Sequence, residues 1–481
     1  MTDQKQPGLT GNLGVLSLMA TVIAFNGPLG ILAGYIPIIL SQGNGLATPL
    51  TFAALMVIVM IFAVGLNAMA ARMTHPGAFY TYVTAGLGRA FGLAAGLVAM
   101  ISYLAIGAGT YALFAVMVKA LLGTTFGITG GPPWWVWALA GWAACTALSL
   151  FNIEVSARIL GVLMLCEVAI IVVWDIVVLH DGGPEGRTFD PFSDFFTAGS
   201  FPLAMVFGLL VLTGFESLQV FRSETRNPEK TVPRATYLSI IFLGLLHIVS
   251  ATCYIIAYGP GKALTAGATD PTGSVLATLT LYVSKFAADA ANVLLCTSIF
   301  AAALSIQNIS TRYFFMFGRD RVLPASLGEV SVKHGSPLRA GVASGLLMLI
   351  VWGGFAVFNF DEVITYSLLT GLGTYWLIVL WVATSLSVVF FFRRGRAAES
   401  LGPWPSLIAP VISLVTLGAI LILATIYLGD VLGGHDTVAD GSLVLLAAMI
   451  AGGIGLAMWY KRNRPDTYKR IGNQVESVDL S

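Results

Sequence analysis

The sequence predicts an all-α polytopic membrane protein of twelve transmembrane helices, and three observations carry that expectation. Of 481 residues, 57% are hydrophobic and only 10% charged, with a mean hydropathy of +0.85. A soluble domain carries about 25% charged residues, so this surface must meet lipid. Stretches 50–71, 90–118, 235–257, 340–358 and 403–428 contain no Asp, Glu, Lys or Arg. Each approaches or exceeds the roughly 20 residues that cross ~30 Å of hydrocarbon at 1.5 Å per residue. The apolar runs are also continuous rather than alternating, which selects helices over a barrel.

Turn signals between the apolar runs place the helices at 12–41, 47–72, 90–121, 133–151, 155–180, 199–222, 233–258, 279–318, 337–358, 360–391, 403–428 and 443–461. One membrane domain results. Residues 1–11 form a short polar tail, 12–180 a first group of five helices, 199–391 a second group and 403–461 two more helices. Residues 462–481 are expected to be a solvated end with no fold of their own. Of the 25 basic residues, all but Lys119, Arg187, Lys262 and Lys285 fall in segments on one side of this arrangement. The positive-inside rule then puts both termini in the cytoplasm and the chain in the cell membrane. MTDQKQPGLT is read as a mature cytoplasmic end rather than a signal peptide. Cys145, Cys166, Cys253 and Cys296 form no CxxC pair and read as small buried hydrophobes. No pattern asks for a cofactor, a metal or nucleic acid.

The first helix contains TVIAFNGPLGILAGY, with Asn26, Gly27 and Pro28 at mid-span. Pro28 removes a backbone donor, while Gly27 and Gly30 ease departure from helical geometry. An unwound segment is expected, and lipid cannot satisfy its peptide groups, so it must line a cavity or meet a ligand. The sixth helix answers it with Gly208, Thr213 and Gly214 at mid-span, followed at once by Glu216. A matched pair of interrupted helices points to a midplane binding site between two repeats. Two ordinary kinks would leave the same mark in the sequence.

Three stretches resemble the amino acid–polyamine–organocation permease superfamily: AMAARMTHPGAFYTYVTAGLGRAFGLAAG at 68–96, GFESLQVFRSETRNPEKTVPRA at 214–235, and the segment from Ser298 to Ala340 that holds Gly-Arg-Asp and Leu-Pro. The resemblance implies a leucine-transporter-like fold of two inverted five-helix repeats plus two helices, and alternating access for an amino acid or related amine. Peptide groups would then grip the substrate: amides after Pro28, at Leu29 and Gly30, for a carboxylate, and carbonyls near Phe25 and from Phe207 through Gly208 to Leu210 for an ammonium. Gly107 and Tyr111 are expected to face the site, with Tyr111 equally readable as packing. The chain departs from the family pattern at Leu210 and Leu212, where aromatics are common, and in having Asn-Gly-Pro-Leu-Gly in the first helix. Together these residues suggest a small-molecule substrate with an uncharged side chain of modest size.

Glu167, in mid-helix, lies where many family members carry a lysine. A carboxyl taken out of water can load and release a proton, which makes Glu167 the first candidate for proton coupling. A neutral interhelical acid, or a partner for a cationic substrate, would look the same. Glu216 is the second candidate, either sensing protonation or tying the sixth helix to its neighbours. Asp175 reads as solvated near an interface and His247 as a packed neutral imidazole. The Arg222/Glu224/Arg226/Glu229/Lys230 cluster and the Gly-Arg-Asp at 318–320 suit ion pairs at an inner mouth. Substrate exchange, and a sensor on a permease scaffold, stay open. An intramembrane enzyme would need a nucleophile–base pair, yet neither GxSxG nor HExxH occurs. The repeated filter of a channel is likewise missing.

Overall fold

The structure, a computed structural model, describes residues 13–73, 79–128, 130–150, 153–192, 199–331, 336–394 and 402–472. The predicted N-terminal tail and the basic residues Lys5, Lys333 and Arg396 lie outside them. Among the described residues the chain is helical, with only two isolated β-bridges, Leu13 with Thr225 and Gly183 with Gly186. Nine stretches within this set are long and apolar enough to cross a membrane. The protein is a multi-pass helical membrane protein.

In chain order the principal helices are α1 (Val15–Asn26), α2 (Thr48–Ala70), α3 (Phe79–Leu87), α4 (Arg89–Thr124), α5 (Trp134–Leu150), α6 (Ile153–Asp181), α7 (Phe201–Leu210), α8 (Pro228–Tyr258), α9 (Pro260–Thr269), α10 (Pro271–Tyr282), α11 (Lys285–Arg319), α12 (Leu338–Val357), α13 (Glu362–Arg394), α14 (Ala409–Ile426), α15 (Asp436–Asn463) and α16 (Pro465–Arg470). Between α1 and α2 a helical stretch from Pro28 to Asn44 alternates α- and π-turns. After α7, residues Phe215–Glu224 wind as a 3-10 helix. The long central helix α4 packs against both α11 and α13, and the three carry much of the apolar core.

Several boundaries differ from expectation for local reasons. The predicted helix 279–318 is split, because Ser284 adopts extended backbone and its side chain accepts the Ala287 amide, starting α11 afresh. Its first residues belong to α10, which Asp270 caps by accepting the Gly273 amide at 2.9 Å. α15 begins at Asp436 rather than 443. Cys166 is exposed, unlike the other three cysteines. Asp175, expected to be solvated, is only 4% exposed and accepts the Ser250 hydroxyl at 2.9 Å. His247 is buried, as read.

The larger correction concerns the C-terminal segment, which does not simply trail into water. α16 folds back, Ile471 is fully buried, and the Gly472 amide donates to Asp320 Oδ2 at 3.0 Å. At the other end Leu13 N–H donates to the Glu224 carbonyl at 3.0 Å. Because Glu224 and Asp320 meet Arg312 and the end of α11, both ends of the described chain lie on one face.

Burial pushes the Asp320 carboxyl up from the usual 3.8 to about 6, against the pull of the Tyr80 hydroxyl, the Gly472 amide, Arg319 and Arg470. Between pH about 6 and 4 the folded chain therefore holds a proton that the unfolded chain releases. Asp320 contributes stability that grows as pH falls through this window and is lost as pH rises through it. Thermal melting from pH 7 to 4 is expected to show a shift on the order of 2 kcal/mol from this group. Asp320→Asn is expected to remove that component of the pH slope, and an unchanged slope would refute the assignment.

Candidate functional site

α1 stops at Gly27, whose φ of +60° is left-handed backbone that a residue with a Cβ adopts at a cost. The break is one residue wide. Gly27 N–H still reaches the Ile23 carbonyl, and Ile31 N–H reaches back to Gly27, both at 2.9 Å. The unwound segment predicted from three helix-breaking residues is thus a single reversed hinge. Pro28 then opens the next helical stretch at its first position, where a missing N–H costs nothing. In that first turn the amides of Leu29 and Gly30 are the ones a helix start leaves without an intrahelical partner.

The sixth span breaks more widely. α7 ends at Leu210, residues 211–214 turn, and Gly214 has φ +105°. Two of the carbonyls released there find partners within the protein. Leu210 C=O accepts the Thr213 amide at 3.1 Å and the Thr213 hydroxyl at 2.7 Å. Val211 C=O accepts the Asn26 side-chain amide at 2.6 Å, so the residue before one break closes the other. Glu216 accepts the Gly214 amide at 2.9 Å and the Tyr103 hydroxyl at 3.1 Å.

A cavity of about 50 Å³ lies between the two breaks, enough for a few waters. Its walls are Phe25, Asn26, Gly27, Gly30, Ile31 and Tyr35 from the first span, and Leu210 and Thr213 from the sixth. Ile106, Thr110 and Leu113 of α4, Ile299, Ala302 and Ile306 of α11, and Tyr366 and Thr370 of α13 complete it. No side chain in this set is formally charged. On the side away from the termini, Tyr35 packs against Phe207 and Tyr366 with ring centroids 6.0 and 6.2 Å apart. On the termini side the Phe25 ring meets Tyr103 edge-on at 6.4 Å. Further along that side a buried ion pair joins α11 to the 3-10 helix: Arg312 donates to Glu224 through Nε and Nη2 at 2.9 and 3.0 Å. The same guanidinium lies 4.1 Å from the Phe221 ring centroid.

Of the residues singled out from sequence, Phe25, Asn26, Gly27, Gly30 and Leu210 line the cavity. Gly214 stands directly beneath Phe25; a Cβ there would sit 2.7 Å from the Phe25 ring. Phe207 forms part of the aromatic rim. Pro28 and Leu29 are buried without lining the space. Gly208 turns away, toward Leu55 and Phe52 of α2. Gly107 meets Met348 of α12, and the Tyr111 hydroxyl donates to Gln307 behind the wall. Glu167 is fully buried beside the break: the Ser298 hydroxyl and the Leu29 amide face its carboxyl. Neither Glu167 oxygen, nor the Ser298 hydroxyl, is within hydrogen-bond geometry of a partner. Ser298 also lies against Gly27, where a Cβ would stand 3.0 Å from its Oγ.

The amino acid permease model matches residues 16–469, nearly the whole described chain. The chain belongs to the amino acid permease family. Among its relatives, the low-affinity putrescine importer PlaP of Escherichia coli K12 is 24% identical over 384 residues, covering 77% of this chain and 80% of that protein. The aromatic amino acid transport protein AroP of the same strain is 24% identical over 309 residues, covering 60% and 64%. The branched-chain amino acid permease BcaP of Lactococcus lactis is 26% identical over 312 residues, covering 61% and 64%.

Sequence reading of this permease missed Ile106, Thr110 and Leu113, whose i, i+4, i+7 spacing marks one face of α4. Gly107 and Tyr111 are the same pattern displaced by one residue, a rotation of about 100°. Tyr35 and Tyr366 left no local signal, because they meet each other only in the folded chain.

The site's glycines provide a direct test. Gly214→Ala places a Cβ on left-handed backbone and against Phe25, and is expected to cost at least about 1–2 kcal/mol. Gly353→Ala, at a helical position where an added Cβ meets nothing within 4 Å, is expected to be neutral or stabilising by up to about 1 kcal/mol. Equal melting temperatures for the two variants would refute the strained hinge.

Proposed function

We propose that this permease carries a zwitterionic amino acid with an uncharged, mainly aliphatic side chain across the cell membrane by alternating access, driven by protons. In this reading the chain crosses twelve times as two inverted five-helix repeats plus two helices, with both termini cytoplasmic. The observation that supports it most is a cavity bounded by both helix breaks and lined without a formal charge.

A substrate carboxylate suits the Gly30 amide at the start of the second helical stretch, where the dipole favours an anion, while the neighbouring Leu29 amide faces Glu167. An ammonium suits three threonine oxygens. The hydroxyls of Thr110, Thr213 and Thr370 each donate to a carbonyl of their own segment at 2.7 Å, which leaves oxygen lone pairs as acceptors toward the cavity. Ile106, Leu113, Ile299 and Ile306 then receive the side chain. A diamine such as the substrate named for one relative would bring a second cation to walls that offer no carboxylate, and burying it unpaired is costly. Swinging of the Tyr35 and Tyr366 rings enlarges the space to substrate size.

Glu167 is assigned the coupling proton. It stands outside the cavity with the Leu29 amide facing its carboxyl, so its charge bears on the same helix start whose Gly30 amide is proposed to hold the carboxylate. Glu216 is assigned a different duty, since both its oxygens already hold the sixth-span break in place.

Thermal-shift screening of the purified chain is expected to find neutral aliphatic amino acids stabilising it by about 2.7 kcal/mol at 100 times their dissociation constant. Stabilisation by putrescine alone would overturn the substrate class. In proteoliposomes, Glu167→Gln is expected to keep binding while losing uptake against a gradient and its dependence on pH. A variant that still follows the proton gradient would remove Glu167 from the mechanism, and a sodium requirement would replace the coupling ion.

A further inference from the structure

The last described residues occupy a shaped receptor on the face that carries both chain ends. Tyr468 of α16 lies under the Arg89 guanidinium, 5.6 Å from ring centroid to Cζ. Ile471 fills a cup of Tyr80, Leu93, Phe317, Val322, Ala457 and Tyr460. Beyond it, the Gly472 amide and the Tyr80 hydroxyl converge on one oxygen, Asp320 Oδ2, at 3.0 and 2.6 Å. Asp320 is 1% exposed, so this carboxyl is enclosed by the groups that bind it. Gly472 has φ +71°, and a Cβ there would stand 2.4 Å from Thr84 Oγ1. The receptor therefore selects an apolar side chain followed by a residue with none.

Four elements share this receptor: Tyr80 and Thr84 belong to α3, Arg89 and Leu93 to α4, Ala457 and Tyr460 to α15, and Phe317 lies near the end of α11 with Asp320 and Val322 just beyond it. The polar contacts to Asp320 join α3 and the strap to the end of α11. α11 is one uninterrupted helix of 35 residues. From Ile306 on the cavity wall to Asp320 it runs about 20 Å at 1.5 Å per residue. A tilt of α11 that opens the cavity toward this face must carry Asp320 away from α3 and pull the receptor apart.

We propose that Ile471 and Gly472 are an intramolecular peptide ligand, and that the strap 465–472 is a detachable brake clamping α3 to the end of α11. Docked, it holds the termini-bearing face closed; released, it lets that face open more readily. The brake rests on the alternating-access reading given above, whereas the seating of the strap does not.

The test uses the full-length chain in liposomes with two variants, Gly472→Val and a chain ending after Asn463. In Gly472→Val, tryptic cleavage at Lys469 and Arg470 is expected to quicken at least tenfold. Maximal uptake of the best neutral amino acid is expected to rise several-fold in both variants, with its dissociation constant by thermal shift unchanged. A synthetic peptide of residues 465–472 added to the shortened chain is expected to restore the slower rate. A strap that stays protected in Gly472→Val overturns the ligand assignment. A released strap with unaltered uptake overturns the brake. If the unmodified chain carries no amino acid at all, the transport reading and the brake fail together, while cleavage alone still decides the seating.

Discussion

The two helix breaks are tied to each other at mid-span by a hydrogen bond from Asn26 Nδ2 to the Val211 carbonyl. A break in a membrane helix releases peptide groups that lipid cannot accept, and each left unpaired costs several kcal/mol. The first span keeps its own cost low by breaking at a single glycine, and it lends its side-chain amide to the wider break opposite. Glu216 serves the other strand of that break through the Gly214 amide. Behind them Phe62, Phe215 and Trp381 pack with ring centroids 5.4 to 6.1 Å apart, Phe62 and Trp381 stacked and the other two pairs edge-on. The cavity exists because these few bonds and rings make a broken geometry cheaper than an unbroken one.

This arrangement separates two tasks. Toward the cavity the chain presents main-chain groups and hydroxyls whose protons are already committed to helix carbonyls, so the cavity itself remains uncharged. The one carboxyl with unmet bonding capacity nearby, Glu167, sits behind the wall against Ser298 and the hinge. A charge placed there acts on the hinge through a few ångströms of dry protein, where screening is weak, without entering the cavity.

Membrane class and the location of both hinges were legible because they depend on residue types with strong local consequences: long apolar runs, and Gly27, Pro28 and Gly214 where helices do not tolerate them. The facing residues of α4 were not, since one residue of misregistration turns the face by about 100°, and glycine at 107 reads as a site residue when it is a close-packing contact with Met348. The aromatic rim joins residues more than 300 positions apart in sequence. The docked tail was hidden for a different reason. Its composition is that of a solvated end, and only the three-dimensional meeting of Tyr80, Asp320 and Gly472 gives Ile471 somewhere to be buried.

The 3-10 winding of Phe215–Glu224 has a mechanical consequence. At about 2.0 Å per residue against 1.5 Å for an α-helix, its ten residues reach about 5 Å further than an α-helical version would. That extra reach brings Glu224 to Arg312. Rewinding this segment as α-helix would shorten it by that amount, so the winding of the lower half of the sixth span and the closure of the Arg312–Glu224 pair are geometrically linked.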